Sequence, residues 1–242
     1  MFSFLKKKPR LVDLISKGFV DIHSHILPGI DDGAKNITQS IKLIDGMKNL
    51  RFGKLIATPH TMAGVWDNSD EDIKKSYESL KKKLESEQPE ISFASEYLID
   101  NSFLEKIQSK KLLCLKDNYV LVELSYLQAP VNLYGILFEL QLKGYVPVLA
   151  HPERYSYFFN DFKAFEKLKI AGCLFQLNLM STVGHYGIDS IKIADKLLGE
   201  KMIYFVGSDI HHKDHFEVFT KRTRIKNLSQ FELTIDANKF FK

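Results

Sequence analysis

A parallel α/β fold whose strands all open onto one mouth is what this sequence predicts, and two regularities carry the reading. Strand-like apolar runs and amphipathic helical stretches alternate seven times along the 242 residues. Nearly every strand then finishes in a His, Asp or Glu. Continuous apolar strands separated by helices imply a parallel sheet covered by helices. In an α/β barrel all the C-terminal strand ends meet at one mouth, where active sites are built. An open doubly wound sheet is the alternative, but its strand ends would not converge from seven strands at once.

The first strand is Phe19 to Ile22, and His23, His25, Asp31 and Asp32 stand where it runs out into a loop. Histidines at i and i+2 on extended backbone point to one face, so both imidazoles can reach one cation. The plainer alternative is a polar strand end with two solvated histidines. Ile37, Ile41, Ile44 and Met47 then recur at helical spacing up to Arg51, with Gly53 as the stop. Lys54 to His60 is the second strand, ending in Pro59 and His60. Asp70 to Glu87 predicts an amphipathic helix with Ile73, Tyr77, Leu80 and Leu84 as its buried stripe, stopped by Pro89. Three acids, Asp70, Glu71 and Asp72, suit its electropositive first turn.

Ile91 to Glu96 is the third strand, and a short helix around Phe103 to Ile107 leads to the fourth, Tyr119 to Leu124, which carries Glu123. A helix over Leu133 to Lys143, closed by Gly144, precedes the fifth strand, which ends in His151-Pro-Glu-Arg154. Phe162 to Ala171 is helical, and Cys173 to Asn178 is the sixth strand. Ile188 to Leu198 is helical, and the seventh strand, from Met202, ends in Asp209-Ile-His211-His212. A closing helix and tail take Asp214 to Lys242. Residues 1–18 read as an N-terminal extension with a frayed basic tip, and 19–242 as a single domain.

Composition narrows the function. The net charge of +4, from 34 basic and 30 acidic residues, is far from the basic stripe of a nucleic-acid binder. Only two cysteines occur, Cys114 and Cys173, each in a largely apolar run, so a disulfide framework is not expected and a reducing compartment, the cytoplasm, is. The first ten residues lack the apolar core of a signal peptide, and no membrane span is expected.

The strand ends collect His23, His25, Asp32, His60, Glu96, Glu123, His151, Asp209 and His211. Nine nitrogen and oxygen donors with no thiolate exceed one tetrahedral zinc and suit two or three ions such as Mn, Fe or Zn. Each alone has a dull explanation as a hydrogen-bonded or solvated side chain, but nine at equivalent places do not. Clustered metals supply a nucleophile from water at neutral pH, so hydrolysis is the expected reaction class. Arg154 is the guanidinium next to the ligands, and its planar fork suits two phosphoryl oxygens. The competing role for it is a salt bridge to Glu153 or a neighbouring carboxylate. His185, in the loop after strand six, is a candidate substrate contact, whereas His212 and His215 read as ordinary surface or packed histidines.

Other catalytic classes fail on the letters. A cysteine phosphatase needs an Arg six residues after its thiolate, yet Val120 follows Cys114 and Leu179 follows Cys173 at that spacing. Neither a Gly-x-Ser-x-Gly elbow nor a phosphate-binding Gly-rich loop ending in Gly-Lys-Ser/Thr is present.

Asp21-Ile-His-Ser-His25, Thr58-Pro-His60, His151-Pro-Glu-Arg154 and Ser208-Asp-Ile-His211 together resemble the polymerase-and-histidinol-phosphatase (PHP) superfamily. More narrowly, His25-Ile-Leu-Pro-Gly-Ile-Asp-Asp-Gly-Ala34 and Gly184-His-Tyr-Gly187 look like its bacterial manganese-dependent protein-tyrosine phosphatases of capsule and exopolysaccharide operons, the CpsB/CapC-like proteins. The likeness runs from about Phe19 to His212. It implies a distorted (β/α)7 barrel with a trinuclear centre at the C-terminal mouth of the strands. It further implies that His23, His25, Glu96 and Asp209 hold one metal, that Glu96 bridges to a second with Glu123 and His151, and that Asp32, His60 and His211 hold a third, Asp31 being the rival to Asp32. Arg154 falls at the family's phosphate-binding position, with Asp209 and His211 beside the chemistry. Thr61 departs from relatives that carry a second histidine after His60.

The expected activity is that of a cytoplasmic metal-dependent phosphomonoesterase acting on phosphotyrosine of a membrane-associated bacterial tyrosine kinase, with Mn as the metal. A small-molecule phosphatase of the histidinol-phosphate type and a catalytically silent metal-binding regulator are the rivals.

Overall fold

Breaks between strands shape this fold as much as the pairings do. The computed structural model describes residues 7–109 and 111–242, so residues 1–6 of the expected basic tip lie outside the described residues. The strands are β1 (Phe19–Ser24), β2 (Phe52–Ala57), β3 (His60–Thr61), β4 (Glu90–Phe93), β5 (Glu96–Leu98), β6 (Tyr119–Glu123), β7 (Val146–Ala150), β8 (Leu174–Asn178) and β9 (Ile203–Gly207). All pair in parallel, in a three-stranded sheet ordered β1-β2-β4 and a six-stranded sheet ordered β3-β5-β6-β7-β8-β9.

The second and third expected strands are each split. Pro59 has no amide hydrogen to give to a ladder, so β2 stops at Ala57 and the chain resumes pairing at His60. Its neighbour breaks at the same level, after Phe93, and the carbonyl of Pro59 accepts the amide of Glu96 at 3.0 Å. Both lines therefore step together from one sheet into the other. Glu96 consequently begins β5 rather than ending a strand, and it lies in register with His60.

The two sheets do not close into a continuously hydrogen-bonded barrel. Where β9 returns to β1 the backbones make a single bridge, Ser24 with Ile210, supported by Asp209 N–H to the His23 carbonyl (2.8 Å) and His25 N–H to the Ile210 carbonyl (3.0 Å). Side chains fasten the rest of this seam. Asp21 accepts from the backbone and hydroxyl of Ser208 (2.8 and 2.6 Å). Asn238 accepts from Val206 N–H (3.0 Å) and donates to the carbonyls of Val20 and Val206 (2.8 and 2.7 Å).

Alternate strand positions feed two separate apolar clusters, as the period of two requires. Val20, Ile22, Ile56, Leu121, Val148 and Phe205 pack in the smaller one with Phe241. Phe19, Leu55, Val120, Val122, Leu149 and Val206 belong to the larger one, with the helices.

The helices follow their sequence signals, with physical exceptions. Asn36 caps α2 (Ile37–Asn49), which buries Leu43, Ile44 and Met47. Its stop is Arg51, at φ 74°, and Gly53 lies inside β2. Ser69 and Asp72 form a capping box for α3 (Asp70–Lys81). That helix is six residues shorter than expected because Lys82, Lys83, Glu85, Ser86 and Glu87 are all exposed, leaving little packing to stabilise further turns. The chain also forms α4 (Asn101–Ser109), α5 (Leu133–Leu142), α6 (Phe162–Ile170) and α7 (Ile188–Gly199). The expected closing helix is two, α8 (His215–Phe219) and α9 (Leu228–Ala237), followed by a 3-10 turn over Asn238–Phe241. A short additional helix, α1 (Leu11–Leu14), buries Leu11, whose amide bonds the Lys221 carbonyl at 2.9 Å, so residues 7–18 pack on the C-terminal segment.

Replacing Asn238 by Ala would leave buried backbone groups of both seam strands without partners. It should cost about 2–4 kcal/mol of unfolding free energy by chemical denaturation. A loss below about 0.5 kcal/mol would mean that the seam does not need this amide.

Candidate metal centre

The strand geometry delivers the nine expected donors to one place. His23 lies in β1 and His25 just beyond it; His60 and Glu96 open β3 and β5 side by side; Glu123 ends β6; His151 follows β7; Asp209 and His211 follow β9. Glu96, fully buried, is the hub. Its Oε2 lies 3.1 Å from His23 Nε2, 3.4 Å from His25 Nε2 and 3.2 Å from His60 Nδ1, and its Oε1 lies 3.1 Å from His151 Nε2. Asp209 Oδ1 faces His23 and His25 at 3.3 and 3.4 Å, and Glu123 Oε1 faces His60 Nδ1 at 2.9 Å. Asp32 Oδ1 meets His211 at 3.4 Å and His60 at 3.6 Å.

Four overlapping groups have donor atoms mutually close enough to share an ion: His25, Asp32, His60 and His211; His23, His25 and Asp209; His23, Glu96 and His151; His60, Glu96 and Glu123. Glu123 thus sits with His60 and Glu96, and His151 with His23 and Glu96. Asp31 and Asp32 divide the work: Asp31 accepts from His25 Nδ1 at 2.7 Å and from Gly33 N–H, while Asp32 faces the cluster.

Partners on the far side of each ring fix where its lone pair points. His23 Nδ1 bonds the Gln176 side-chain oxygen at 2.8 Å, and the amide's orientation is set by its NH2 donating to the Leu177 carbonyl. His211 Nδ1 bonds the Asp209 carbonyl at 2.9 Å. With His25 Nδ1 committed to Asp31, the Nδ1 protons are used and three Nε2 lone pairs turn inward. His23 Nε2 and His25 Nε2 then face each other at 3.2 Å, acceptor to acceptor. The buried oxygens Glu96 Oε2 and Glu123 Oε1 have no hydrogen-bond donor. Such an arrangement is unfavourable without positive charge between the groups, and the all-N/O donor set suits divalent Mn, Fe or Zn.

Titration directions agree. Burial lowers the His23 imidazole's affinity for a proton, but Glu96 and Asp209 override it and raise the pKa to about 9. Burial opposes ionisation of Glu96, yet His23 and His60 hold its carboxyl well below the usual range. His151 goes the other way, to about 4, through burial and the nearby Arg154. Two of the candidate ligand positions carry backbone strain: His151 (φ 37°) and Asp209 (φ 54°) adopt the left-handed region without being glycine. Glycine is required next to two others, since a Cβ on Gly33 would fall 2.0 Å from the His25 carbonyl and one on Gly207 2.6 Å from His23 Cβ.

At the mouth, Arg154 donates from Nη1 to Asp209 Oδ2 at 2.7 Å, and its guanidinium lies over the rings of Tyr186 (4.0 Å) and Tyr126 (4.8 Å). Its carboxylate partner is Asp209; Glu153 is turned away, accepting from Asn178 N–H and the Ser181 hydroxyl. Asn178 donates to Asp209 Oδ2 (2.9 Å) and to the Tyr186 hydroxyl (3.1 Å). Trp66 stacks on His60 with centroids 4.9 Å apart. His185 is exposed at the rim, its ring against Tyr186 and His215; neither it nor His212 nor His215 joins the donor groups.

Sequence reasoning passed over Gln176, Asn178, Tyr126, Tyr186 and Trp66. A signal existed for two of them: Gln176 interrupts an apolar strand, and Asn178 ends that strand where its counterparts carry ligands. Neither cysteine approaches thiolate character, because burial lifts Cys114 to about 11 and Cys173 to about 12.

Known proteins share this chain's sequence and architecture. The family model for capsular polysaccharide synthesis proteins, CpsB/CapC, matches residues 19–222. The tyrosine-protein phosphatase YwqE of Bacillus subtilis is 31% identical over 196 residues, 80% of this chain and 77% of YwqE. CapC of Staphylococcus aureus is 29% identical, over 79% of this chain and 76% of its own. Among solved structures, a chain from the work on YwqE of Bacillus subtilis and CpsB of Streptococcus pneumoniae, described as unique metal-dependent tyrosine phosphatases, matches with a TM-score of 0.76 at 28% identity, covering 92% of this chain and 88% of that chain.

Trp66 is the chain's only tryptophan, so its emission reports on the His60 ring it covers. Titrating Mn2+ into chelator-stripped protein should change that emission saturably, and Trp66→Phe should abolish the signal. Emission indifferent to the ion would place binding away from His60.

Proposed function

The chain belongs to the CpsB/CapC family of capsular polysaccharide synthesis, and from that membership we propose a metal-dependent tyrosine-protein phosphatase that hydrolyses phosphotyrosine on a protein of the capsule or exopolysaccharide system. The substrate we infer is a membrane-associated bacterial tyrosine kinase. Two cysteines, both free, suit a cytoplasmic setting, and among the described residues no helix is long and apolar enough to cross a membrane. We read the seven strand lines as a distorted (β/α)7 barrel whose mouth carries the site.

One observation supports the chemistry above the rest: a ring of nitrogen and oxygen donors converging on Glu96, with the Arg154 guanidinium at its edge. His23, His25, Glu96 and Asp209 would hold one ion, Glu96 with Glu123 and His151 a second, and Asp32, His60 and His211 a third, with Mn as the proposed metal. Bound divalent ions supply a nucleophile from water at neutral pH and offset charge on the transferring phosphoryl group.

The chain's own residues do the positioning. Among the described residues Asp209 engages only Nη1 of Arg154, which leaves the remaining N–H groups of the fork for phosphoryl oxygens. The rings of Tyr126 and Tyr186 both lie against the guanidinium, so little rotational freedom is lost when the phosphoryl group arrives. Arg154 and His211 each bond Asp209, and the reacting group would sit among the three. His185, beyond Tyr186 at the rim, is positioned to meet the peptide rather than the phosphorus. A silent regulator would have no use for Arg154 held in this way.

Chelation should abolish hydrolysis of an aryl phosphate and Mn2+ should restore it, while Cys114→Ser combined with Cys173→Ser leaves the rate largely intact. A folded but inactive double cysteine variant would contradict the metal mechanism.

Arg154→Ala should lower kcat/KM by roughly 10²- to 10³-fold, in line with loss of one preorganised electrostatic donor. Metal content should be unchanged, since Asn178 still holds Asp209. Arg154→Lys should recover part of the loss, because an ammonium keeps the charge but not the two-pronged contact. A lowered melting temperature with normal kinetics per folded molecule would assign Arg154 to structure instead.

A further inference from the structure

The family match begins at residue 19, and the segment ahead of it has no part in the site described above. Within that segment Phe2, Phe4 and Leu5 stand directly before Lys6, Lys7 and Lys8. From Lys7 onward it is pinned rather than frayed. Arg10 forms an antiparallel bridge with Arg222, the Pro9 carbonyl accepts Thr223 N–H at 2.9 Å, and the Lys8 ammonium donates to the carbonyls of Arg224 and Ile225 at 2.8 and 2.7 Å. The segment therefore runs beside Lys221-Arg-Thr-Arg-Ile-Lys226, and neither 7–10 nor 221–226 contains an acid. Arg10 is matched by Asp13 at 2.7 Å, and Asp195 and Glu200 border the hollow that Arg224 and Lys226 share with α7, so these three cations are offset. Lys7, Lys221 and Arg222 remain, all exposed and in no ion pair among the described residues, against a single acid, Glu217, one turn before Lys221. This basic strip adjoins the mouth. Arg224 N–H donates to the Thr182 carbonyl at 2.7 Å, and a Cβ on Gly184 would lie 2.9 Å from Arg224 Nη1, so the strip runs along the turn that carries His185 and Tyr186 to the rim.

We propose that Phe2, Phe4 and Leu5, with the cations of Lys6, Lys7, Lys221 and Arg222 beside them, dock this chain on an anionic lipid surface without spanning it. The inference stands independently of the phosphatase reading. Apolar side chains next to lysines call for an apolar phase bordered by negative charge, and the headgroup region of an anionic bilayer offers both within about 5–10 Å of depth. An acidic protein would satisfy the lysines and leave the two phenylalanines and the leucine in water. Neither half suffices alone: a small apolar insertion is readily reversed, and each basic residue near such a surface strengthens binding roughly fivefold. Docking by this edge brings the rim of the site alongside the bilayer, which suits the membrane-associated substrate proposed above.

Co-sedimentation of the full chain with vesicles tests this, using phosphatidylcholine alone and phosphatidylcholine mixed with phosphatidylglycerol. Wild type should bind the anionic vesicles about 10²-fold more tightly than the neutral ones, and about 0.5 M salt should remove most of the difference. Lys7→Gln/Lys221→Gln/Arg222→Gln should lose about 10²-fold in binding to the anionic vesicles, the product of three roughly fivefold steps. Phe2→Ser/Phe4→Ser/Leu5→Ser should weaken that binding by at least about tenfold while keeping the preference for anionic lipid. Both variants should hydrolyse p-nitrophenyl phosphate in solution at the wild-type rate, which verifies that they are folded. Equal binding of wild type to the two vesicle types, or binding to anionic vesicles that either folded variant leaves unchanged, overturns the proposal. The wild-type comparison decides even where a variant fails to fold. Salt-sensitive capture of wild type on immobilised polyglutamate, without binding to either vesicle, would assign the strip to an acidic protein and overturns it as well.

Discussion

Glu96 sits with no solvent exposure at the point where imidazoles from β1, β3 and the loops after β1 and β7 converge. A buried carboxylate in that setting is stable only if positive charge stays beside it. In the metal-free protein His23 holds a proton more tightly than a free imidazole does, through Glu96 and Asp209, and Glu96 is held ionised by His23 and His60. Divalent ions provide the same balance with directional bonds, and they compete with those protons for the same lone pairs. Much else in the upper half of the fold serves to keep these groups facing one another.

Strand register does most of that work. The paired breaks at Pro59 and after Phe93 carry His60 and Glu96 out of one sheet and set them in register in the other. The incomplete seam between β1 and β9 is where the chain runs out of β1 into His25 and out of β9 into Asp209 and His211, and a continuous ladder there would commit that backbone to strand geometry. Asp21, Ser208 and Asn238 hold the seam with side-chain hydrogen bonds instead. The left-handed turns at His151 and Asp209 are consistent with the same compromise, backbone strain accepted where candidate donors point inward.

The alternation of apolar strand and amphipathic helix was legible in the letters, and so was the donor set, because a polar residue at the end of an apolar run stands out. The splitting of two strands was less so: Pro59 announces one break, but no residue type announces the matching break after Phe93, which follows from its neighbour. Helix α3 ends early because packing, not propensity, decides its length. Gln176, Asn178, Tyr126, Tyr186 and Trp66 support the site through contacts made across the sheet. Arg154 could be read as a phosphate clamp or as an ion-pair partner, and the structure has it bonded to Asp209, with no second hydrogen-bond partner for its fork among the described residues.

The central claim is that divalent ions occupy the ring around Glu96, and anomalous scattering from manganese-soaked crystals addresses it most directly. At least two anomalous peaks are expected within about 2.2 Å of Glu96 oxygens, with further contacts to His23, His60 or His151. A map with ordered manganese elsewhere on the protein and none within the ring would contradict it.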